Sequence, residues 1–195
     1  ATVLRRGVPL GLLYGSAQIL QTAGLSLTSA SVAGFVTGLY VVLTPLLGAL
    51  LFRSRVGPAT AAGAVLATVG LGVLSLDGLA VGGGGGEALT LASAAVYAVH
   101  ILALSRWSDP GRALGLSLVQ LVVIALLCTA AALWPDARGH VGLTLPATAP
   151  DWWSLLYLAV VAGALGMVLQ TWAQAHVEPS RAAVVMAMEP VWAAA

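Results

Sequence analysis

Seven long apolar runs, separated by short breakers, decide what this chain can fold into. They cover roughly residues 8–27, 30–52, 57–76, 88–105, 114–134, 152–174 and 182–195. A hydrocarbon core about 30 Å thick is crossed by about 20 residues of helix, and every run but the last approaches that length. The breakers are Arg53-Ser54-Arg55-Val56-Gly57-Pro58, the glycine run 82–86, Ser108-Asp109-Pro110-Gly111 and the stretch Pro135–Pro150. Membrane β-strands would alternate apolar and polar residues over about ten positions, and these runs do not. The pattern therefore predicts an all-α, polytopic membrane protein whose first partner is the lipid bilayer. Composition agrees. The chain is 59% hydrophobic and 8% charged, whereas soluble domains carry about 25% charged residues. A net charge of +1 without a single lysine excludes a basic nucleic-acid surface. Cys128 is the sole cysteine, so neither an intrachain disulfide nor a cysteine metal cluster is expected. His100, His140 and His176 lack metal-ligand spacing, and no cofactor or metal is expected.

Arginine sets the orientation. With residue 1 on the cytoplasmic side of the cell membrane, the cytoplasmic loops hold Arg5, Arg6, Arg53, Arg55, Arg106, Arg112 and Arg181, and the other side holds Arg138 alone. The outer loops carry Asp77, Glu87, Asp136 and Asp151. Trp107, Trp134, Trp152 and Trp153 lie at run ends, where indole rings favour the interface.

The sequence also repeats. Leu20-Gln21-Thr22 aligns with Leu169-Gln170-Thr171 at an offset of 149 residues, and Ser31-Val32-Ala33-Gly34 then meets Ser180-Arg181-Ala182-Ala183. The first copy of this helix leaves the cytoplasm and the second returns to it, as in inverted-repeat transporters. The offset predicts a parent bundle of ten helices in two inverted five-helix repeats. Residues 1–81 would then hold helices three to five, 82–87 a glycine-rich linker, and 88–195 an incomplete second repeat with helices six to nine.

These features resemble the drug/metabolite transporter superfamily and, within it, the EamA-like family. The resemblance lies in Gly24-Leu25-Ser26-Leu27-Thr28-Ser29-Ala30-Ser31-Val32-Ala33-Gly34-Phe35, in Leu43-Thr44-Pro45-Leu46-Leu47, and in Ser180-Arg181-Ala182-Ala183 followed by Met188-Glu189-Pro190-Val191. The family pattern is a turn rich in Thr, Ser and Ala, then a helix with a mid-membrane proline. The resemblance implies ten helices, cytoplasmic termini and transport of a small metabolite or drug-like solute, often outward. A glutamate common in the family after the fourth helix is replaced here by Phe52-Arg53-Ser54-Arg55.

Polar residues inside a membrane are costly and need partners. Tyr14, Gln18 and Gln21 share one helical face, with Gly11 and Gly15 beside it; Thr37, Tyr40 and Thr44 share another. Ser93, Tyr97 and His100 form a third stripe, Gly163, Gly166, Gln170 and Gln174 a fourth, and Gln120 stands nearly alone. Tyr14, Gln18, Gln21, Tyr40, Tyr97, Gln120 and Gln170 are the candidate substrate-binding residues of a central cavity. The competing reading is inter-helix hydrogen bonding alone. Gly34 with Gly38, and Ala94 with Ala98, read as close-packing pairs. Glu189 is the one carboxylate deep in a run and aligns with Tyr40 across the repeat, which makes it the candidate proton-coupling residue. His100 reads as lying near the cytoplasmic end of its helix. The leading function is a non-enzymatic secondary transporter coupled to an ion or to exchange. The alternatives are an intramembrane enzyme acting on a lipid, for which no Ser-His or paired-carboxylate set is visible, and a non-transporting scaffold. A second copy of the chain is left open as a partner.

Overall fold

The computed structural model describes residues 2–52, 57–74, 84–134 and 145–186, and among them the fold is helical with no strand. The elements are α1 (Thr2–Leu25), α2 (Ala30–Gly38), α3 (Tyr40–Phe52), α4 (Pro58–Leu74), α5 (Gly85–Trp107), α6 (Ala113–Leu133), α7 (Ala149–Tyr157), α8 (Gly166–Gln174) and α9 (Pro179–Met186). A 3-10 turn, Pro110–Arg112, precedes α6, and a π-helical segment, Leu158–Leu165, joins α7 to α8. Helices dominate because lipid offers backbone groups no hydrogen-bond partner, so each segment satisfies its own. Helix starts coincide with side chains able to cap. Ser29 Oγ accepts from Val32 N (3.3 Å) at the head of α2. Thr148 and Asp151 cap each other's backbone amides at the head of α7.

Four stretches are long and apolar enough to cross a membrane: Ala30–Leu51, Gly85–Trp107, Pro110–Leu133 and Ala149–Gln174. With 24 residues, α1 is about 36 Å long, but Arg5, Arg6, Gln18 and Gln21 make it less apolar. It starts six residues before the run that marks it in the sequence, because arginine is a good helix former and its long stem lets the charge reach the interface. The distribution of side chains is inverted relative to a soluble protein. Thr44, Thr90, Ser93, His100, Ser117, Gln120 and Thr171 are fully buried, while Leu118, Val122 and Leu126, one turn apart on α6, are more than half exposed. Polar groups inside and leucine outside is the arrangement lipid requires, and the chain is a multi-pass membrane protein.

Helix α1 is the axis of the bundle. Its N-terminal end lies by the C-terminal end of α5, where Arg6 Nη1 donates to Trp107 O (3.1 Å), and further along Ser93 Oγ donates to Ala17 O (2.8 Å). The two helices are therefore antiparallel. On another face Gly7, Gly11 and Gly15 lie against Val119, Val123 and Leu127, stepping by four on both helices, so α1 and α6 run parallel at close approach. At Gly24 a methyl group would strike Thr90 Oγ1 and come within 2.9 Å of Gly86 O. Small residues allow such approach where no hydrophobic effect drives helices together. The pairing of Gly34 with Gly38 does not hold as a contact among the described residues, none of which lies within 4 Å of a Cβ at Gly34.

Helix limits repeat at the sequence offset. Leu25 and Gln174 end α1 and α8, Ala30 and Pro179 begin α2 and α9, and both pairs are 149 residues apart. Gln170 shares a cavity wall with Tyr97 and His100, and one turn later Gln174 accepts from Ser105 Oγ (3.4 Å), so α8 runs with α5 and against α1. Helices α1 and α8, whose ends lie 149 residues apart, thus point in opposite directions. Arg6, Trp107, Asp109 and Arg112 gather around one cleft at one end of the bundle, and Arg106 and Arg181 belong to helix ends on the same side. At the opposite end Thr28 Oγ1 donates to Glu87 Oε1 (3.0 Å). Glu87 thus lies in the first turn of α5, where it ties that helix to the turn between α1 and α2, and is not a loop acid.

Candidate functional site

The polar stripes converge on a cavity of about 270 Å³ lined by Tyr14, Gln18, Gln21, Thr37, Tyr40, Tyr97, His100, Ile101, Gln170 and Met186. Six of the seven candidate substrate-binding residues are in this wall. The seven-residue spacing from Tyr14 to Gln21 is two helical turns, which keeps Tyr14, Gln18 and Gln21 on one side of α1. Tyr97 faces them from α5. Its hydroxyl donates to Gln18 Oε1 (2.6 Å) with Gln21 Oε1 at 3.1 Å, and Gln21 Nε2 donates to Thr37 Oγ1 (3.3 Å). A continuous chain of hydrogen bonds therefore ties α1, α2 and α5 together along one wall. Tyr14 stands edge-on to both Tyr97 (centroids 5.3 Å, 74°) and His100 (5.2 Å, 73°). Among the described lining residues there is no Asp, Glu, Lys or Arg. The cavity offers amides, phenols and ring edges.

Gln120 does not line the cavity. It is fully buried behind the wall, where its Oε1 lies 3.0 Å from His100 Nε2 and its Nε2 donates to Leu116 O (3.3 Å). Periodicity placed it on an inward face; which neighbour covers that face depends on how α5 and α6 dock. His100 also departs from the sequence reading. Because α5 continues to Trp107, His100 is fully buried two turns inside the helix, at the level of Tyr14, and not at its cytoplasmic end. Its spacing three residues after Tyr97 is the signal that places it with the site. Thr44 and Ser93, from the same stripes, bond to the carbonyls of Tyr40 (2.7 Å) and Ala17 (2.8 Å) and do not reach the cavity. Glu189 and Pro190 lie outside the described residues.

A second cavity, about 430 Å³ and more apolar, adjoins the first and shares Tyr14, Gln170 and Met186 with it. Its wall includes Gly163, from the π-helical segment, and Gly166 and Gln174 of α8, completing the fourth polar stripe. The π turn was not expected. In it the backbone bonds to the fifth residue back, which widens the helix locally, and such turns gather at functional sites.

Fold and site together define a multi-pass helical membrane protein with a neutral polar cavity enclosed by α1, α2, α3, α5, α8 and α9. Residues 3–76 and 84–195 match the EamA-like transporter family. The chain belongs to that family. It is similar to an uncharacterized transporter of Archaeoglobus fulgidus, 29% identical over 188 residues that cover 96% of this chain and 58% of the relative. The chain thus spans little more than half the length of the curated relative it matches.

Proposed function

We propose that this chain carries the solute-binding part of a secondary transporter for a small polar metabolite or drug-like solute. The observation that carries the reading is the neutral, hydrogen-bonding cavity of about 270 Å³ inside a bundle whose outer surface is leucine and valine. A bundle held only by inter-helix hydrogen bonds needs no such space, and polar groups at membrane depth mark solute pathways. The opposed helices α1 and α8 support alternating access, in which one repeat rocks against the other around a central site. In this reading residues 82–87 link the two repeats, the arginine-rich end faces the cytoplasm of a cell-membrane protein, and transport is outward. Energy comes from an ion gradient or exchange, with Glu189 as the proton-coupling group. No specific observation favours the intramembrane-enzyme or scaffold reading.

Proteoliposomes of the full-length protein, screened with small polar solutes, test this. Saturable uptake accelerated by the same solute inside the vesicles is the expected result. Uptake no faster than in protein-free vesicles for every solute would remove the proposal.

A further inference from the structure

Among the described residues two buried side-chain atoms have no hydrogen-bond partner: His100 Nδ1 and Gln170 Nε2. They come from different helices, α5 and α8, yet both side chains stand in the wall of the 270 Å³ cavity. Buried polar atoms are almost always paired, and one left unpaired destabilises the fold. Two in one wall call for an explanation from the site itself.

Their hydrogen-bonding roles follow from the neighbours. Gln120 gives its amide N–H to Leu116 O (3.3 Å), so the oxygen is the group turned to His100 Nε2 at 3.0 Å. An oxygen there can only accept, so Nε2 is the protonated nitrogen and Nδ1 presents a lone pair. Gln170 Nε2 is an amide donor. One atom is an acceptor and the other a donor, complementary to each other and not bonded to each other. Neither atom has surface open to the cavity in this conformation, so both are satisfied by a solute whose entry turns these side chains, giving a proton to Nδ1 and taking one from Nε2. The last torsion of Gln170 is broad and soft, so its amide turns to meet such a solute at little cost.

We infer that His100 and Gln170 are specificity-determining residues that select an uncharged solute with a hydrogen-bond donor beside an acceptor, as in a carboxamide, urea or lactam edge. The inference rests on reading this cavity as the solute site. A site that hydrogen-bonds a polar edge rejects an analogue lacking it, because its own buried groups are then left unpaired. Gln120 is a positioning residue, holding the ring so that Nδ1 faces the solute.

Benzamide and N,N-dimethylbenzamide are the probes, since they share the carbonyl and the ring and differ in the N–H donor. Binding is measured by calorimetry on the full-length protein in lipid nanodiscs. Benzamide is expected to bind about tenfold or more tighter than the dimethyl compound. Gln170→Met, close in volume but without the donor, should weaken benzamide by about tenfold. His100→Phe should abolish the difference between the two probes; if that variant does not fold, Gln170→Met decides alone. Equal affinity for both probes, no saturable benzamide binding, or undiminished affinity in Gln170→Met overturns the inference. Saturable transport of another solute by a protein indifferent to benzamide would overturn it while leaving the transporter reading intact. The expected affinity ratio in a protein that moves no solute would do the reverse.

Discussion

Replacing Gly11 by alanine tests whether the glycine face of α1 sets the position of the cavity wall. A Cβ at Gly11 would lie 2.7 Å from Val123 Cβ, 3.0 Å from Val123 Cγ1 and 3.0 Å from Gln120 O. Carbon atoms rest at about 3.5–4.0 Å, so α6 must retreat by about 1 Å. Neither obstacle is the end of a flexible side chain: Val123 Cβ is fixed to its helix and the Gln120 oxygen is backbone. Overpacking of this kind costs about 1–3 kcal/mol, offset by up to about 1 kcal/mol from removing a glycine within a helix. A net loss of up to about 2 kcal/mol follows. Gly34→Ala is the control, because its methyl meets none of the described residues within 4 Å, and it should stabilise by up to about 1 kcal/mol. Reversible unfolding in bicelles, followed by tryptophan fluorescence, reads both. The retreat also carries Gln120 away from His100, so solute affinity should fall with stability in Gly11→Ala. If Gly11→Ala is as stable as the parent and Gly34→Ala is the weaker protein, the close approach of α1 and α6 is wrong.

Tyr97→Phe removes the hydroxyl that donates to Gln18 and reaches Gln21; it should cost about 0.6–1.7 kcal/mol of stability and slow solute exchange, and unchanged values of both would show that the hydrogen-bonded wall contributes nothing. Glu189→Gln should lose uptake driven by a pH gradient while retaining solute exchange, which moves no net proton; surviving gradient-driven uptake would make Glu189 structural. In a Cys128→Ala background cleared of any cysteine elsewhere in the full-length protein, Ser108→Cys should react with an impermeant maleimide only from the cytoplasm and Leu145→Cys only from outside; labelling of both from one side would contradict the orientation.

The helices were legible in the sequence because lipid leaves few choices: an apolar run between Arg, Gly and Pro breakers satisfies its backbone as a helix, and α1 to α9 follow those runs. Most of the cavity was legible too, since Tyr14, Gln18 and Gln21 repeat at helical spacing and a polar face in a membrane turns inward. Other features needed contacts between helices. Gln120 and His100 lie on inward faces but meet each other, which only the docking of α5 on α6 decides. Thr44 bonds the carbonyl of Tyr40 within its own helix, an outcome period alone cannot separate from cavity lining. The π segment Leu158–Leu165 is uniformly apolar around Gly163 and carries no local mark of its backbone register.

Reactivity of a single thiol within the cavity tests the central claim most directly. Cys128→Ala, together with removal of any cysteine elsewhere in the full-length protein, clears the background, Gln18→Cys places a thiol in the cavity wall, and Leu145→Cys places one at an exposed position away from it. Proteoliposomes of each variant are treated with a small methanethiosulfonate reagent and assayed for solute exchange. The reagent should abolish exchange in Gln18→Cys, transported solute should slow its reaction there, and modified Leu145→Cys should exchange at its original rate. Full exchange by Gln18→Cys after complete modification would contradict the claim that this cavity is the transport site.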